Sequence, residues 1–297
     1  MDTTPISRPR RDEAQNRPAP LPEGLRPETA ARTDRAYVTL VSNPDYLPGA
    51  EALLRSLRLT GTGADLVVLH RGLQPAHLAR LRAGGARLIQ ADLLPTSEQF
   101  DRTHARDALH RRAAFTRGGK PDFHTPLDNF VKLRLWQLDY RRCVFIDADA
   151  VVLRPVDKLF EMPEFCAAPN VYDGLDGFHR MNSGVFTARP DLRTYRDMLA
   201  RLDRPGVFWR RTDQTFLQHY FPDWQGLSIH HNMLQYVWFN MPELWSWEDI
   251  RILHFQYEKP WQDHDKVAML RPLIDLWRAI AAGHPMPDLA AQVRPAA

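Results

Sequence analysis

Apolar positions fall in two alternating rhythms along this chain, after a stretch that has almost none. Residues 1–34 are rich in Pro, Arg, Glu and Thr and carry too little apolar surface to offset the entropy of ordering, so they read as a disordered tail. Residues 36–41, AYVTLV, then predict a strand. Ser42, Asn43, Pro44 and Asp45 make a loop, and Ala52, Leu53, Leu54 and Leu57 recur at helical spacing. Residues 66–69, LVVL, are continuously apolar, as a parallel strand buried on both faces should be. Residues 75–82 read as a helix and residues 87–90 as a third short strand. This alternation predicts an α/β fold, a mostly parallel sheet flanked by helices. Residues 91–126 break the rhythm with Arg and His and a hinge expected at Gly118-Gly119, which suits either an active-site flap or a plain surface insertion. Helical spacing returns through Val131, Leu135 and Leu138. One domain is expected over residues 35–280, followed by a C-terminal tail at 281–297.

The most informative break lies in RCVFIDADAVVL, residues 142–153. The apolar run from Cys143 to Ile146 ends in Asp147-Ala148-Asp149, and a second apolar run follows. Unpaired buried charge is expensive, so two acids at the end of a core strand call for a cation. Hard oxygen ligands at the carboxyl end of a sheet strand suit magnesium or manganese, and small Ala148 lets a ligand come close. The competing reading is a strand-end turn whose acids cap a helix or pair with Arg. His254 follows another apolar run, with Lys259 five residues on and Trp261 closing the loop. A neutral imidazole can complete a manganese shell, and Lys can meet phosphate, although a lone His is more often structural. Asn182, Ser183 and Gly184 place compact hydrogen-bonding groups before a strand. Asp213-Gln214 opens a helical pattern in which Thr212 and Asp213 also suit a simple helix cap.

Composition narrows the field. Hydrophobic residues make up 44% of the 297, which excludes wholesale disorder. Thirty-nine basic against 36 acidic residues give a scattered net charge of +3, so no nucleic-acid footprint is expected. No run approaches the roughly 18 apolar residues of a membrane span, and no signal-peptide core is present. Two cysteines, Cys143 and Cys166, match no paired metal or redox spacing. A cytoplasmic enzyme without membrane contact is the expectation.

Taken in order, these motifs resemble glycosyltransferase family 8, the family of glycogenin and galactinol synthase. The likeness runs over roughly residues 36–277. Residues 36–43 resemble the family's first strand and nucleotide-binding loop. The resemblance implies donor contacts from Leu40, Ser42 and Asn43, with Tyr46 stacking on uracil. Phe130-Val131-Lys132-Leu133 with Trp136 resembles the T-K-L helix, which brings Lys132 to the donor sugar and phosphates. Phe145-Ile146-Asp147-Ala148-Asp149 resembles the F-x-D-A-D metal motif, implying Asp147, Asp149 and His254 as metal ligands and Ala148 against the donor. Asn182-Ser183-Gly184-Val185-Phe186 matches N-S-G-V-F, Asp213-Gln214 matches the D-Q pair, and residues 227–232 look like a worn L-P-x-x-Y-N. Residues 254–261 resemble the H-F-x-G…K-P-W ending, with Lys259 at the pyrophosphate.

What the resemblance implies is a single GT-A-type domain with a Rossmann-like nucleotide-binding half and an acceptor half. It implies Mn2+ or Mg2+, a nucleotide-sugar donor such as a UDP-hexose, and a hydroxyl acceptor on a small molecule or glycan. It further implies a retaining reaction with Asp213, Gln214 and Lys132 at the reacting centre, and a homodimer would be in keeping. Three departures stand out. Arg210 replaces an Asp three residues before the D-Q pair, His231 replaces a Tyr, and Tyr257 replaces the Gly of the pyrophosphate turn, which is also one residue shorter than glycogenin's. No tyrosine is assigned for self-glucosylation. A nucleotidyltransferase would share the acids, but the loop after the first strand lacks a glycine-rich cradle. A non-catalytic nucleotide-sugar binder would be favoured by loss of the acids, which are present.

Overall fold

The computed structural model describes residues 24–105, 127–172, 174–204 and 212–292. Runs of aliphatic and β-branched residues form its strands, which are β1 (Leu25–Pro27), β2 (Arg35–Val41), β3 (Asp65–His70), β4 (Arg87–Ala91), β5 (Arg142–Ile146), β6 (Ala150–Val152), β7 (Cys166–Pro169), β8 (Met181–Ala188), β9 (Gln225–Gly226), β10 (Met233–Leu234) and β11 (Ile252–His254). The described helices are α1 (Leu47–Leu59), α2 (Pro75–Ala83), α3 (Glu98–His104), α4 (Leu192–Leu202), α5 (Asp213–Tyr220), α6 (Val237–Asn240) and α7 (Arg271–Ala281). The main sheet runs β1-β4-β3-β2-β5-β8-β7-β9, and a small second sheet runs β10-β11-β6. Strands β4, β3, β2 and β5 are mutually parallel, while β8 returns antiparallel beside β5. The expected mixed, mostly parallel sheet flanked by helices is what forms.

Both faces of the main sheet are covered, so β3 and β8 are buried at every position. On one face α1 sets Leu47, Ala50, Leu53, Leu54 and Leu57 against Tyr37, Val41, Leu66 and Val68. On the other, Phe130, Val131 and Trp136 pack with Val38, Phe145 and Phe186. A third cluster, built on Trp238, Trp245, Trp247 and α7, supports the small sheet. The helical spacing at residues 130–138 resolves as a 3-10 helix over Asp128–Gln137, buried at every residue except Asn129. A segment enclosed on all sides has no polar face to impose the α period.

The tail expectation fails for residues 24–34. β1 pairs antiparallel with β4, Leu25 opposite Ala91, and the Leu25 side chain is buried. Buried Asp65 accepts the backbone N–H groups of Arg32 and Thr33 and the Arg32 guanidinium, and Glu28 pairs with Arg82. These are backbone and ionic ties, which a count of apolar residues does not register. Residues 1–23 lie outside the described residues. A chain beginning at Arg35 leaves the Asp65 carboxylate with Tyr140 as its remaining side-chain donor. Its stability is expected to fall by about 2–3 kcal/mol, the worth of charged hydrogen bonds to a buried acceptor. Urea denaturation checks this, and an unchanged midpoint would refute it.

Two other sequence expectations change. Residues 281–292 are not a free tail, because Ala281 ends α7 and Leu289 is buried in the third cluster. The start of the 91–126 segment is not a loose insertion. Phe100 of α3 is fully buried and stacks on His104 with ring centroids 4.0 Å apart. The Arg- and His-rich remainder from residue 106, with Gly118-Gly119, lies outside the described residues, as does Arg210. Among the described residues no helix is long and apolar enough to cross a membrane. Both cysteines are buried and free.

Candidate active site

The acidic turn sits where the two sheets meet. β5 belongs to the main sheet and β6 to the small one, so Asp147-Ala148-Asp149 bridges them. Antiparallel pairing of β11 with β6 places His254 opposite Ala150, next to Asp149. The Phe255 N–H closes the join by donating to the Asp149 carbonyl at 2.8 Å. One ligand atom from each of Asp147, Asp149 and His254 lies within 4.8 Å of the others, and this is the one such group of three found among the described residues.

Lysines neutralise the acids. Lys259, buried, pairs with Asp149 Oδ2 and donates to the Phe255 carbonyl at 2.9 Å. Burial alone would raise the Asp149 pKa, but the Lys259 ammonium and His254 hold it well below the ordinary carboxylate range. Asp147 goes the other way. Burial and the nearby Asp149 charge raise it, despite Lys132. Lys132 lies between two acids, 3.3 Å from Asp147 Oδ1 and 2.9 Å from Asp213 Oδ2, with its ammonium over the Phe145 ring. Burial disfavours that charge, yet the two carboxylates raise the Lys132 pKa above its ordinary value.

Asp213 is more than a cap. Thr212 makes no side-chain capping bond, and buried Asp213 accepts from Ser183 Oγ at 2.8 Å as well as from Lys132. Gln214 Oε1 accepts the Ser183 N–H at 3.3 Å. The Asp-Gln pair, Ser183, Lys132 and Asp147 therefore form one connected array.

The loop after β2 closes the other side. Asn43 accepts the Asp45 N–H and caps the short turn that carries Tyr46. Leu40 and Ser42 precede it at the carboxyl end of β2. Trp261 Nε1 donates to the Asp45 carbonyl at 3.0 Å, tying the Lys259 loop to this turn. Gly49, in the first turn of α1, backs directly onto the Ala148 carbonyl and the Trp261 ring. A Cβ has no room there, so Ala148 is held close to the loop. Tyr257 takes a φ of 65°, the left-handed conformation that a Gly would adopt freely. The strain, about 1–2 kcal/mol, is met by packing against Tyr172 and Tyr236.

Hydrogen bonds and ion pairs thus connect Lys132, Asp147, Asp149, Asn182, Ser183, Asp213, Gln214, His254 and Lys259, while the turn carrying Asn43 and Tyr46 is tied to the Lys259 loop through Trp261. Sequence reasoning missed the groups behind the site. Asn232 Oδ1 accepts from His254 Nδ1 at 2.8 Å, and Asn170 continues inward through the already singled-out Asn182. Glu258, with Tyr236 and Lys266, buttresses the turn that carries Lys259. Asn232 had a signal, the end of the worn motif. Asn170 had none.

A divalent cation fits the acidic cluster. His254 Nε2 and Asp149 Oδ1 face each other at 3.2 Å, and a neutral imidazole and a carboxylate so placed need a cation or proton between them. Oxygen donors with one imidazole are the donor set of manganese or magnesium.

The family model described as glycosyl transferase family 8 matches residues 37–265. Human glycogenin-2 is 35% identical over 202 residues, 68% of this chain and 36% of that protein. UDP-glucuronate:xylan alpha-glucuronosyltransferase 1 of Arabidopsis thaliana is 30% identical over 265 residues, covering 82% and 36%. The chain therefore spans little more than a third of these relatives. Among solved structures, the galactosyltransferase LgtC in complex with donor and acceptor sugar analogs aligns over 85% of this chain and 97% of its own, with a TM-score of 0.54 at 14% identity. The glycosyltransferase GlyE of Streptococcus pneumoniae TIGR4 aligns over 87% and 62%, with a TM-score of 0.59 at 17% identity. The likeness to these two is one of fold.

Proposed function

The chain belongs to glycosyltransferase family 8, and within it we propose a metal-dependent, retaining transferase that moves a hexosyl group from a UDP-sugar to an acceptor hydroxyl. The observation that carries this reading is the convergence of Asp147, Asp149 and His254 beside two buried lysines. Mn2+ or Mg2+, held by those three residues, would supply positive charge for the departing diphosphate.

The protein's own groups do the rest. Breaking the anomeric bond moves negative charge onto the nucleotide, and Lys259 and Lys132 are fixed cations beside that position, needing no reorganisation as charge develops. Tyr46 offers a ring for uracil, and Leu40, Ser42, Asn43 and Ala148 line the approach to it. Asp213, Gln214, Asn182 and Ser183 stand on the sugar side. Ser183 bonds both Asp213 and Gln214, while Asn182 is held by Gly184, Asn170 and Asn232, and orientation of donor and acceptor is their contribution to rate. The acceptor hydroxyl attacks from the leaving-group face and passes its proton to the departing phosphate oxygen, so no strong protein base is required.

Release of UDP from a panel of UDP-hexoses, without acceptor and with or without Mn2+, tests this. Manganese-dependent, EDTA-sensitive release from at least one donor is expected. Release of pyrophosphate from a nucleoside triphosphate instead would point to nucleotidyl transfer, and no turnover at all to a binding protein.

A further inference from the structure

Behind His254 lies a chain of side-chain amides whose direction is set by the backbone. Asn182 Oδ1 accepts the Gly184 N–H at 2.8 Å, and a backbone N–H can only donate. That fixes the Asn182 amide with its oxygen toward Asn232. Asn232 must then offer its NH2, which it does at 2.9 Å, and turn its own oxygen to His254 Nδ1 at 2.8 Å. An amide oxygen cannot donate, so Nδ1 carries a proton, and in the neutral ring Nε2 is the nitrogen left with its lone pair, toward Asp149. Asn182 Nδ2 donates onward to Asn170 Oδ1 at 3.0 Å. Asn232, Asn182, Asn170 and His254 are all at most 8% exposed, so water does not compete for these bonds.

The same glycine serves both halves of the cluster. Its carbonyl accepts the Asp147 N–H at 2.8 Å, while its N–H starts the amide chain. A Cβ on Gly184 would fall 2.6 Å from His254 Nδ1 and 2.9 Å from Asn182 Oδ1, so a side chain there would displace the relay.

We infer that Asn232, oriented by Gly184 through Asn182, is a positioning residue that locks His254 in its Nδ1–H tautomer and so presents Nε2 to a divalent cation. The inference rests on the metal-dependent reading above. It makes Asn182 a member of the support behind the imidazole, with its oxygen already accepting two hydrogen bonds. A hydrogen-bonded partner behind a ligating His commonly changes metal affinity by about 10- to 100-fold.

Two measurements on the full chain test it. In the first, Mn2+ binding in the presence of UDP is followed by electron paramagnetic resonance of free Mn2+. Asn232→Leu should weaken Mn2+ binding by about 10- to 100-fold, with UDP affinity in EDTA unchanged. Asn170→Ala, which removes the far end of the chain and leaves Asn182 Oδ1 on the Gly184 N–H and the Asn232 amide, should stay within about threefold of wild type on the same scale. Wild-type affinity in Asn232→Leu, or equal losses in both variants, would overturn the proposal. The second needs no altered relay and stands if Asn232→Leu fails to fold. Nitrogen-15 spectroscopy of the metal-free wild type, at a pH where imidazole is neutral, should find the His254 proton on Nδ1, with His254→Gln giving the assignment. A proton on Nε2 would overturn the lock. Failure of the wild type to bind Mn2+ with UDP would instead count against the metal-dependent reading, while the tautomer result would still decide the lock.

Discussion

On the proposed metal-dependent reading, Asp149→Ala is expected to reduce UDP-sugar turnover at least about a thousandfold, because several kcal/mol of charge stabilisation would go with the cation assigned to it. The same change should also destabilise the fold. Lys259 is 3% exposed and pairs with Asp149, so the substitution leaves a buried ammonium with the Phe255 carbonyl as its remaining acceptor. Breaking a buried pair from one side costs about 3–5 kcal/mol. Combining Asp149→Ala with Lys259→Met removes the stranded charge, and stability should largely return while turnover does not. Denaturant midpoints and steady-state rates on the two variants separate the effects. Full activity in Asp149→Ala would refute the site, and an unchanged midpoint would refute the account of Lys259.

Lys132→Met should be nearly as severe, for a related reason. Lys132 is the cation shared by Asp147 and Asp213, and Asp213 is 2% exposed. Without it, Asp213 keeps the Ser183 hydroxyl as its side-chain donor. A loss of about 3–5 kcal/mol in stability is expected, with a loss of about 100- to 1,000-fold in kcat from the missing fixed charge. Adding Asp213→Asn should recover much of the stability and none of the rate. Lys132→Arg is not a conservative control, since a planar guanidinium does not match the compact ammonium between two acids. A Lys132→Met protein with wild-type kcat would show that the ammonium is structural alone.

The parallel core was legible because strands buried on both faces are written as unbroken apolar runs, as in residues 66–69. Asp147 and Asp149 stood out for the converse reason, as charges interrupting such a run. Other features have no sequence signature. The antiparallel register that brings His254 beside Asp149 depends on pairing between residues a hundred positions apart. β1 escaped notice because backbone hydrogen bonds to β4 hold it, and these need no particular side chains. Asn170 looks like any polar loop residue until its amide is seen facing Asn182. Tyr257, where the family resemblance has a Gly, takes the left-handed φ of 65° that a side chain disfavours, which the residue type alone does not announce. Asp213 was ambiguous between cap and site until Lys132 was found against it.

Anomalous diffraction at the manganese edge, from crystals grown with UDP and Mn2+, addresses the central claim most directly. The account predicts one strong peak coordinated by Asp147, Asp149, His254 Nε2 and the diphosphate. A peak away from these residues, or none where UDP is bound, would contradict it.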